Sequence, residues 1–592
     1  MKKYFYFILA VTLSVVEVSF LACSTPKEKV DLIVHHAVIY TVDSAFSTAE
    51  SFAVKDGKII AVGTNDSILS KYEGEKLDAQ GKAVFPGFID AHCHFYGYGT
   101  DLSQCDLVGT KSFDEVLQRV KEFASVSKGK TWIIGRGWDQ NDWAVKEFPD
   151  RKKLDSLFPN TPVFLTRIDG HAALVNLEAL NRAEITSWGN VDGGFIGVIP
   201  SAVHFLTNNN YHPPLGQEYL SGILIDNAVD IVKKVIPLPS KEEIKQALLA
   251  AQKNCFAVGL TTVDDAGLEK QVIDLMDEMQ KKGELKMRVY AMLTDNRENL
   301  DYYLKHGIYK TDRLNVRSFK FYADGALGSR GACLLQDYSD KKGWKGFLLS
   351  KPEYFQEMAK KIFENGFQMN THCIGDSAVQ FIFNTYANAI LENLKKESQI
   401  PSKIEPRWRI EHCQVLSKED IEFLKPTWAM QEGMVEYSNH HNVIFSVQPT
   451  HATSDMYWAK ERLGNERIKY AYAYKDLLKA AGMIALGTDF PVEDINPLYT
   501  FYAAVARKDL KGFPKDGFQM ENALTREETL KGMTTWSAYA NFEEKEKGSI
   551  EKGKFADFVI LDKDIMKINI DSVPNAKVLA TYLNGEKVYS QK

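Results

Sequence analysis

The stretch Pro86-Gly87-Phe88-Ile89-Asp90-Ala91-His92-Cys93-His94 is a β-rich run that ends in two histidines two residues apart. Side chains alternate across a strand, so His92 and His94 share one face and aim their imidazoles at a common point, while Cys93 faces the other way. Two convergent imidazoles make half of a metal site. Taken alone the pair is weak, because many strands carry such histidines and bind nothing. Working outward from it, short β-rich runs ending in polar residues alternate with helical stretches from residue 83 onward, the pattern of repeated βα units around a parallel sheet. There are eight such runs, at 88–94, 260–265, 288–293, 318–324, 367–372, 409–413, 444–448 and 484–489, with helix-patterned segments at 241–258, 269–282, 352–365, 378–396 and 466–481. The expected fold is α/β, a (β/α)8 TIM-type barrel. A doubly wound open sheet is the competing arrangement.

Other runs strengthen the metal reading. His372, His412 and Asp489 each fall at the carboxyl end of a run, where barrel enzymes keep their chemistry, and they supply imidazole and carboxylate donors. In the fourth run Phe319, Phe321 and Ala323 share a face, so Lys320 points into the barrel. An ammonium there would be desolvated and repelled by two cations. Reaction of the amine with carbon dioxide relieves this, since a carbamate is anionic and can bridge two metals; pairing with Asp324 is the alternative. In the sixth run, facing His412 inward turns Glu411 outward, so a bulge or an arginine partner such as Arg409 is needed.

Between the first and second runs lies an insertion, about residues 100–240, with strand-like runs at 131–138 and 162–166. Insertions of this length commonly shape a binding site, with a structural elaboration as the alternative for any one part of it. At the two ends of the chain, 32–42, 51–62 and 83–85, with a hairpin turn at Asp56-Gly57, and 548–562 and 578–590, with turns at Lys552-Gly553 and Asn584-Gly585, alternate apolar and polar residues. They predict a small β-sandwich from residues 31–86 plus 546–592, enclosing a barrel at 87–545. Ahead of them, a basic Met1–Lys3, an apolar run over 4–16 and Leu21-Ala22-Cys23 read as a lipoprotein-type signal at 1–22, with a linker at 23–30. Phe20 and Glu17 depart from the usual pattern, which keeps an ordinary secreted or membrane-anchored protein open. The expectation is export to a bacterial cell envelope, with the membrane engaged through a lipid on Cys23. The other six cysteines, Cys93, Cys105, Cys255, Cys333, Cys373 and Cys413, form no tight framework and are expected as free, buried thiols. With 72 Lys plus Arg against 78 Asp plus Glu the net charge is −6, which excludes nucleic-acid binding by bulk charge.

The motifs PGFIDAHCH, GLTTVDDAG, FKFYADGALGSR, THCIGDSAV, RIEHCQ, SVQP and ALGTDFPVED, with GRGWD and RIDGHAALVN in the insertion, make the chain resemble the amidohydrolase superfamily, in its YtcJ-like amidohydrolase 3 branch, from residue 30 to the closing GSIEKGKFADFVILD. The resemblance implies a metal-dependent barrel plus composite β-sandwich, with ligands at His92, His94, Lys320, His372, His412 and Asp489. It implies hydrolysis of carbon–nitrogen bonds of amides, formamides or cyclic ureides by metal-activated hydroxide. The expected centre holds two zinc ions, one on His92 and His94 and the other on His372 and His412, bridged by carboxylated Lys320, with a mononuclear site as the alternative. Asp489 is the expected proton shuttle as well as a ligand. His171 could reach from the insertion to a substrate carbonyl or be a hydrogen-bonded structural histidine. Trp138 and Asp139 could line the pocket, or form a turn with a core tryptophan. Arg330 could hold a substrate carboxylate or brace its loop. His35, His36, His440 and His441 read as surface residues. The expected partners are a small-molecule amide and a second copy of the chain in a homodimer. Two other functions compete, a deaminase or esterase on the same barrel and a non-catalytic ligand-binding surface lipoprotein.

Overall fold

Eight strands follow one another around a parallel sheet: β1 (Phe88–Cys93), β2 (Leu260–Leu268), β3 (Arg288–Thr294), β4 (Leu314–Tyr322), β5 (Gln368–Cys373), β6 (Trp408–His412), β7 (Val443–Val447) and β8 (Ile484–Leu486). Each pairs in parallel with the next. Between β8 and β1 the ring is completed just past the strands, by Asp489 N–H to His92 O (2.7 Å) and His94 N–H to Phe490 O (2.8 Å). The computed structural model describes residues 26–127, 131–199, 216–396, 405–424 and 443–591. Residues 1–25, with Cys23, and His440 and His441 lie outside the described residues.

The strands are covered on both faces, which suits their nearly unbroken apolar and β-branched composition. The helices carry local start and stop signals. Ser240 and Glu243 form a reciprocal capping box at the head of Lys241–Ala257. Pro352 begins Pro352–Glu364, and left-handed Gly482 (φ 79°) stops Tyr474–Ala481. The expected helix over 466–481 is broken in two. A 3-10 turn at Ile468–Tyr470 and the helix from Tyr474 flank Tyr472 at φ 56°. Its hydroxyl donates to Asp455 (2.7 Å) and its amide to Gln414 O (2.7 Å), so tertiary bonds override the helical period there.

The insertion after β1 builds a seven-stranded sheet in the order Gly189–Val191, Gly194–Val198, Leu220–Asp226, Ala172–Val175, Val163–Arg167, Ile133–Trp138, Cys105–Asp106. At the chain ends, a sheet with Glu28–His35 and Tyr72–Asp78 as parallel neighbours packs on one that joins Val38–Tyr40 and Ala83–Pro86 to Phe558–Leu561 and Val578–Leu583. Leu32, Val34, Phe52, Phe558 and Tyr582 share the core between them. Asp56-Gly57 (φ 52° and 73°) and Asn584-Gly585 (φ 52° and 75°) are two-residue turns with positive φ throughout, as a type I′ hairpin requires. Lys552-Gly553 differs from expectation: the only strand between 548 and 562 is Phe558–Leu561, so this turn joins no hairpin. All six described cysteines are free, and Cys333 alone is only partly buried. Among the described residues no helix is long and apolar enough to cross a membrane.

Candidate metal centre

At the carboxyl ends of the strands, His92, His94, Lys320, His372, His412 and Asp489 come together. The ligand atoms of His92, His94 and Asp489 lie within 4.8 Å of one another, as do those of His412, His451 and Asp489. Asp489 stands between the two groups. Its Oδ1 is 3.2 Å from His94 Nε2 and 3.7 Å from His92 Nε2, and its Oδ2 is 3.2 Å from His451 Nε2. Lys320 Nζ is 3.1 Å from His92 Nε2. The His372 ring lies 4.5 Å from that of His412.

The rings are held from behind. His92 Nδ1 meets Glu411 Oε2 at 2.6 Å, His94 Nδ1 meets Ala266 O at 3.0 Å, and His412 Nδ1 meets Gln448 Oε1 at 2.8 Å. At His92 and His94 the contact leaves Nε2 as the nitrogen that faces Asp489, a tautomer choice made by the neighbour. At His412, Nδ1 itself also lies 3.9 Å from Asp489 Oδ2. Asp90 positions the last strand against the first by accepting Thr488 N–H (2.9 Å) and Thr488 Oγ1–H (2.7 Å), one residue ahead of Asp489.

Strand six overturns the simple alternation expected of it. Glu411 is fully buried and faces inward, with Oε1 2.7 Å from Arg409 Nε. His412 reaches the same interior because it leaves the strand in the left-handed region, at φ 71°. Arg409 also donates to Asp264 (2.8 Å), so an Asp–Arg–Glu–His chain runs through the barrel interior. Burial opposes charge on Glu411, but Arg409 and His92 outweigh it and hold the carboxyl well below its usual range. Burial, and then Lys320, push His92 down to about 4. Burial also carries Lys320 down to about 8 and lowers His372 and His412.

These observations test the site for a metal. The imidazoles of His92, His372 and His412, kept neutral by burial, are in the form that ligates, whereas at His451 burial is outweighed by Asp489 and Glu493, which raise it to about 10. Asp489 Oδ1 and His372 Nε2 are buried without a hydrogen-bond partner among the described residues, and the donors are nitrogen and carboxylate oxygen, the set that suits zinc. The residues fit the group.

The remaining predicted residues divide. His171 comes from the insertion to the mouth, its ring 4.8 Å from that of His372. Trp138 does not line the site: it is 1% exposed, its indole N–H donates to Leu165 O (2.8 Å), and it packs with Trp143 and Phe148. Asp139 pairs with buried Arg167 (2.5 Å) and caps the turn at Gln140–Asp142. Arg330 forks onto Asp340 (3.2 and 2.9 Å), bracing its own loop. His35 is buried rather than on the surface. His451 was not foreseen. It lies on the helix Pro449–Asp455 that follows β7, three residues beyond Gln448, and the polar end of SVQP is the signal that points toward it.

A family model described as "Amidohydrolase family" matches residues 75–203 and 211–589. The chain belongs to the amidohydrolase family. This amidohydrolase is 30% identical over 566 residues to YtcJ of Bacillus subtilis, a protein named as an amidohydrolase, covering 94% of this chain and 99% of the relative. It is 24% identical over 581 residues to an N-substituted formamide deformylase of Arthrobacter pascens, covering 95% and 98%. Among solved structures it resembles an uncharacterized metal-dependent hydrolase of Pyrococcus horikoshii, with a TM-score of 0.68, 26% identity, and coverage of 91% of this chain and 99% of the other. Family and neighbours make the amidohydrolase a metal-dependent hydrolase on a TIM barrel.

Proposed function

We propose that this amidohydrolase cleaves a carbon–nitrogen bond of a small non-peptide amide, N-formyl, N-acyl or cyclic, and that it works in the cell envelope, anchored by a lipid on Cys23. The observation that carries the reading is Asp489, a buried carboxylate shared between two groups of imidazoles. A departing amine is a poor leaving group and needs a proton, and a carboxylate so placed can take one from the attacking water and hand it on. Full-length likeness to a formamide deformylase supports the choice of bond.

His92, His94, His372, His412 and Asp489 would hold the metal, as two zinc ions, with Lys320 bridging them as its carbamate. When bound, such ions acidify water and polarise a carbonyl. The chain's own residues do the rest. Glu411, Ala266 O and Gln448 orient the rings. Asp489 moves the proton. Burial keeps Lys320 low enough for a reactive free amine. His171, at the rim, faces the substrate's amide group.

The test is a panel of N-formyl, N-acyl and cyclic amides, with esters and aminopurines alongside, on zinc-loaded enzyme. Turnover of amides is expected; turnover of esters or aminopurines alone would replace this reading with esterase or deaminase chemistry, and turnover of none, with a ligand bound, would favour a binding protein. Lys320→Ala should lower zinc content and be partly rescued by short carboxylic acids; full metal and full activity would remove the bridging role. Mass spectrometry of the exported protein should find the chain starting at a lipidated Cys23.

A further inference from the structure

His171 is carried by the loop before Ala172–Val175, and its Nδ1 lies 2.7 Å from Asp226 Oδ1. Asp226 ends the neighbouring strand Leu220–Asp226, and its own N–H donates to His171 O (2.8 Å). Three features set this aspartate apart. Its backbone stands at φ 52°, ψ −124°, a region that residues other than glycine rarely occupy and that tends to mark functional positions. Its carboxylate is wholly buried, and Oδ2 has no hydrogen-bond partner among the described residues. The loop after β4 is also cut away to receive it: a Cβ at Gly325 would lie 2.6 Å from both carboxylate oxygens, and one at Gly331 would lie 2.5 Å from Oδ2. Neither glycine has the positive φ that would explain it by conformation.

A buried carboxylate with one oxygen unsatisfied is costly, and a strained backbone adds to the cost, so the fold retains Asp226 for something other than stability. What it touches is the ring of His171. With Nδ1 engaged, ring rotation is stopped and Nε2 becomes the nitrogen left for other contacts. His171 Nε2 makes no hydrogen bond among the described residues, and the side chain keeps 14% of its exposure, enough for a substrate to touch it.

We propose that Asp226 is the positioning residue of His171: it locks the imidazole over the His372 side of the metal centre, so that a residue of the inserted subdomain is presented to the substrate's amide group with the precision of the barrel. The glycine-lined pocket of Gly325 and Gly331 is what registers the insertion against the barrel. This rests on the reading of the site as an amide hydrolase in which His171 faces substrate. The geometry resembles other His–Asp pairs in its logic, in which the carboxylate orients the ring and the ring does the work.

The test is a double-mutant cycle on the zinc-loaded full chain, with N-formyl-4-nitroaniline as probe. His171→Ala should cost on the order of 10²-fold in kcat, the usual worth of a positioned acid or base. Asp226→Ala should cost about 10- to 10²-fold, as a ring displaced by an ångström would. The Asp226→Ala, His171→Ala double variant should be no worse than His171→Ala alone, because without the ring there is nothing to position. Asp226→Asn keeps an oxygen for Nδ1–H and should recover most of the Asp226→Ala loss, which also covers the case in which Asp226→Ala folds poorly. Zinc content should stay at the wild-type level in all four. Additive losses in the cycle, or Asp226→Asn as slow as Asp226→Ala, would overturn the proposal, as would full turnover in His171→Ala. If the wild type hydrolyses only 4-nitrophenyl acetate, the amide reading has failed, and the same cycle run on that ester decides the positioning role separately.

Discussion

The barrel mouth and the edge of the β-sandwich each bring histidines to an aspartate, His92, His94 and Asp489 in the first and His35, His36 and Asp78 in the second, with ligand atoms within 4.8 Å in both. The two are built differently. In the barrel the histidines stand two residues apart, His92 on β1 and His94 just past its end, and a partner behind each ring fixes its tautomer. In the sandwich His35 and His36 are consecutive, and the left-handed φ of 51° at His36 is what turns their rings together. His36 spends its Nδ1 on Asp78 itself (3.2 Å), with the side chains 54% and 49% exposed, and His35 Nδ1 is buried with no hydrogen-bond partner among the described residues. Proximity of donors is common to both; support from behind belongs to the barrel alone. The lesson is that the second layer of contacts, more than the residue types, separates a metal centre from a chance cluster.

The largest effect expected is on the barrel. Stripping metal with a chelator should abolish hydrolysis, and zinc should restore it; activity that survives with no metal measurable would break the comparison at its root. Next comes the carboxylate shared by both groups of imidazoles. Asp489→Asn keeps an oxygen donor but cannot accept the proton, so it should retain its metal while turnover falls on the order of 10²-fold or more. A variant near the wild-type rate would pass the shuttle to another group, with His171 the next to test. Smaller again is the support itself. Glu411→Gln leaves His92 in place but weakens what orients it, and should loosen zinc by about 10- to 100-fold in a competition titration. Unchanged affinity would mean that orientation from behind is not what distinguishes this cluster.

Much of this was legible in the sequence, for a physical reason. Strand ends in a barrel converge whatever the loops do, so a polar residue at the end of each β-rich run predicts its neighbours, and His92, His372 and Asp489 were placed by counting alone. Period-2 alternation put Lys320 inside correctly. It failed at Glu411 and His412, because a left-handed residue at the strand's end lets consecutive side chains face one way, and nothing in RIEHC announces a positive φ. Trp138 stays open in the sequence because a Trp-Asp pair reads alike in a pocket and in a core; only the distant Leu165 carbonyl and Trp143 decide. His451 and Asp226 escaped notice because their roles depend on contacts 38 and 55 residues away in the chain.

The smallest effect expected is on the sandwich, and it is the sharpest check on the comparison. His36→Ala removes one of three donors from the exposed cluster and breaks a surface contact with Asp78. Exposed pairs of this kind contribute little, and alanine at φ 51° is no better suited than histidine. Stability should therefore change by no more than about 0.5 kcal/mol, and turnover should not change. Zinc per chain, measured by elemental analysis after gel filtration, should also match the wild type, since a donor set without oriented rings gives up its ion to dilution. If instead one ion per chain is lost while hydrolysis stays intact, the sandwich cluster binds metal in its own right, and orientation from behind would be a refinement of the barrel site rather than the condition for a site at all.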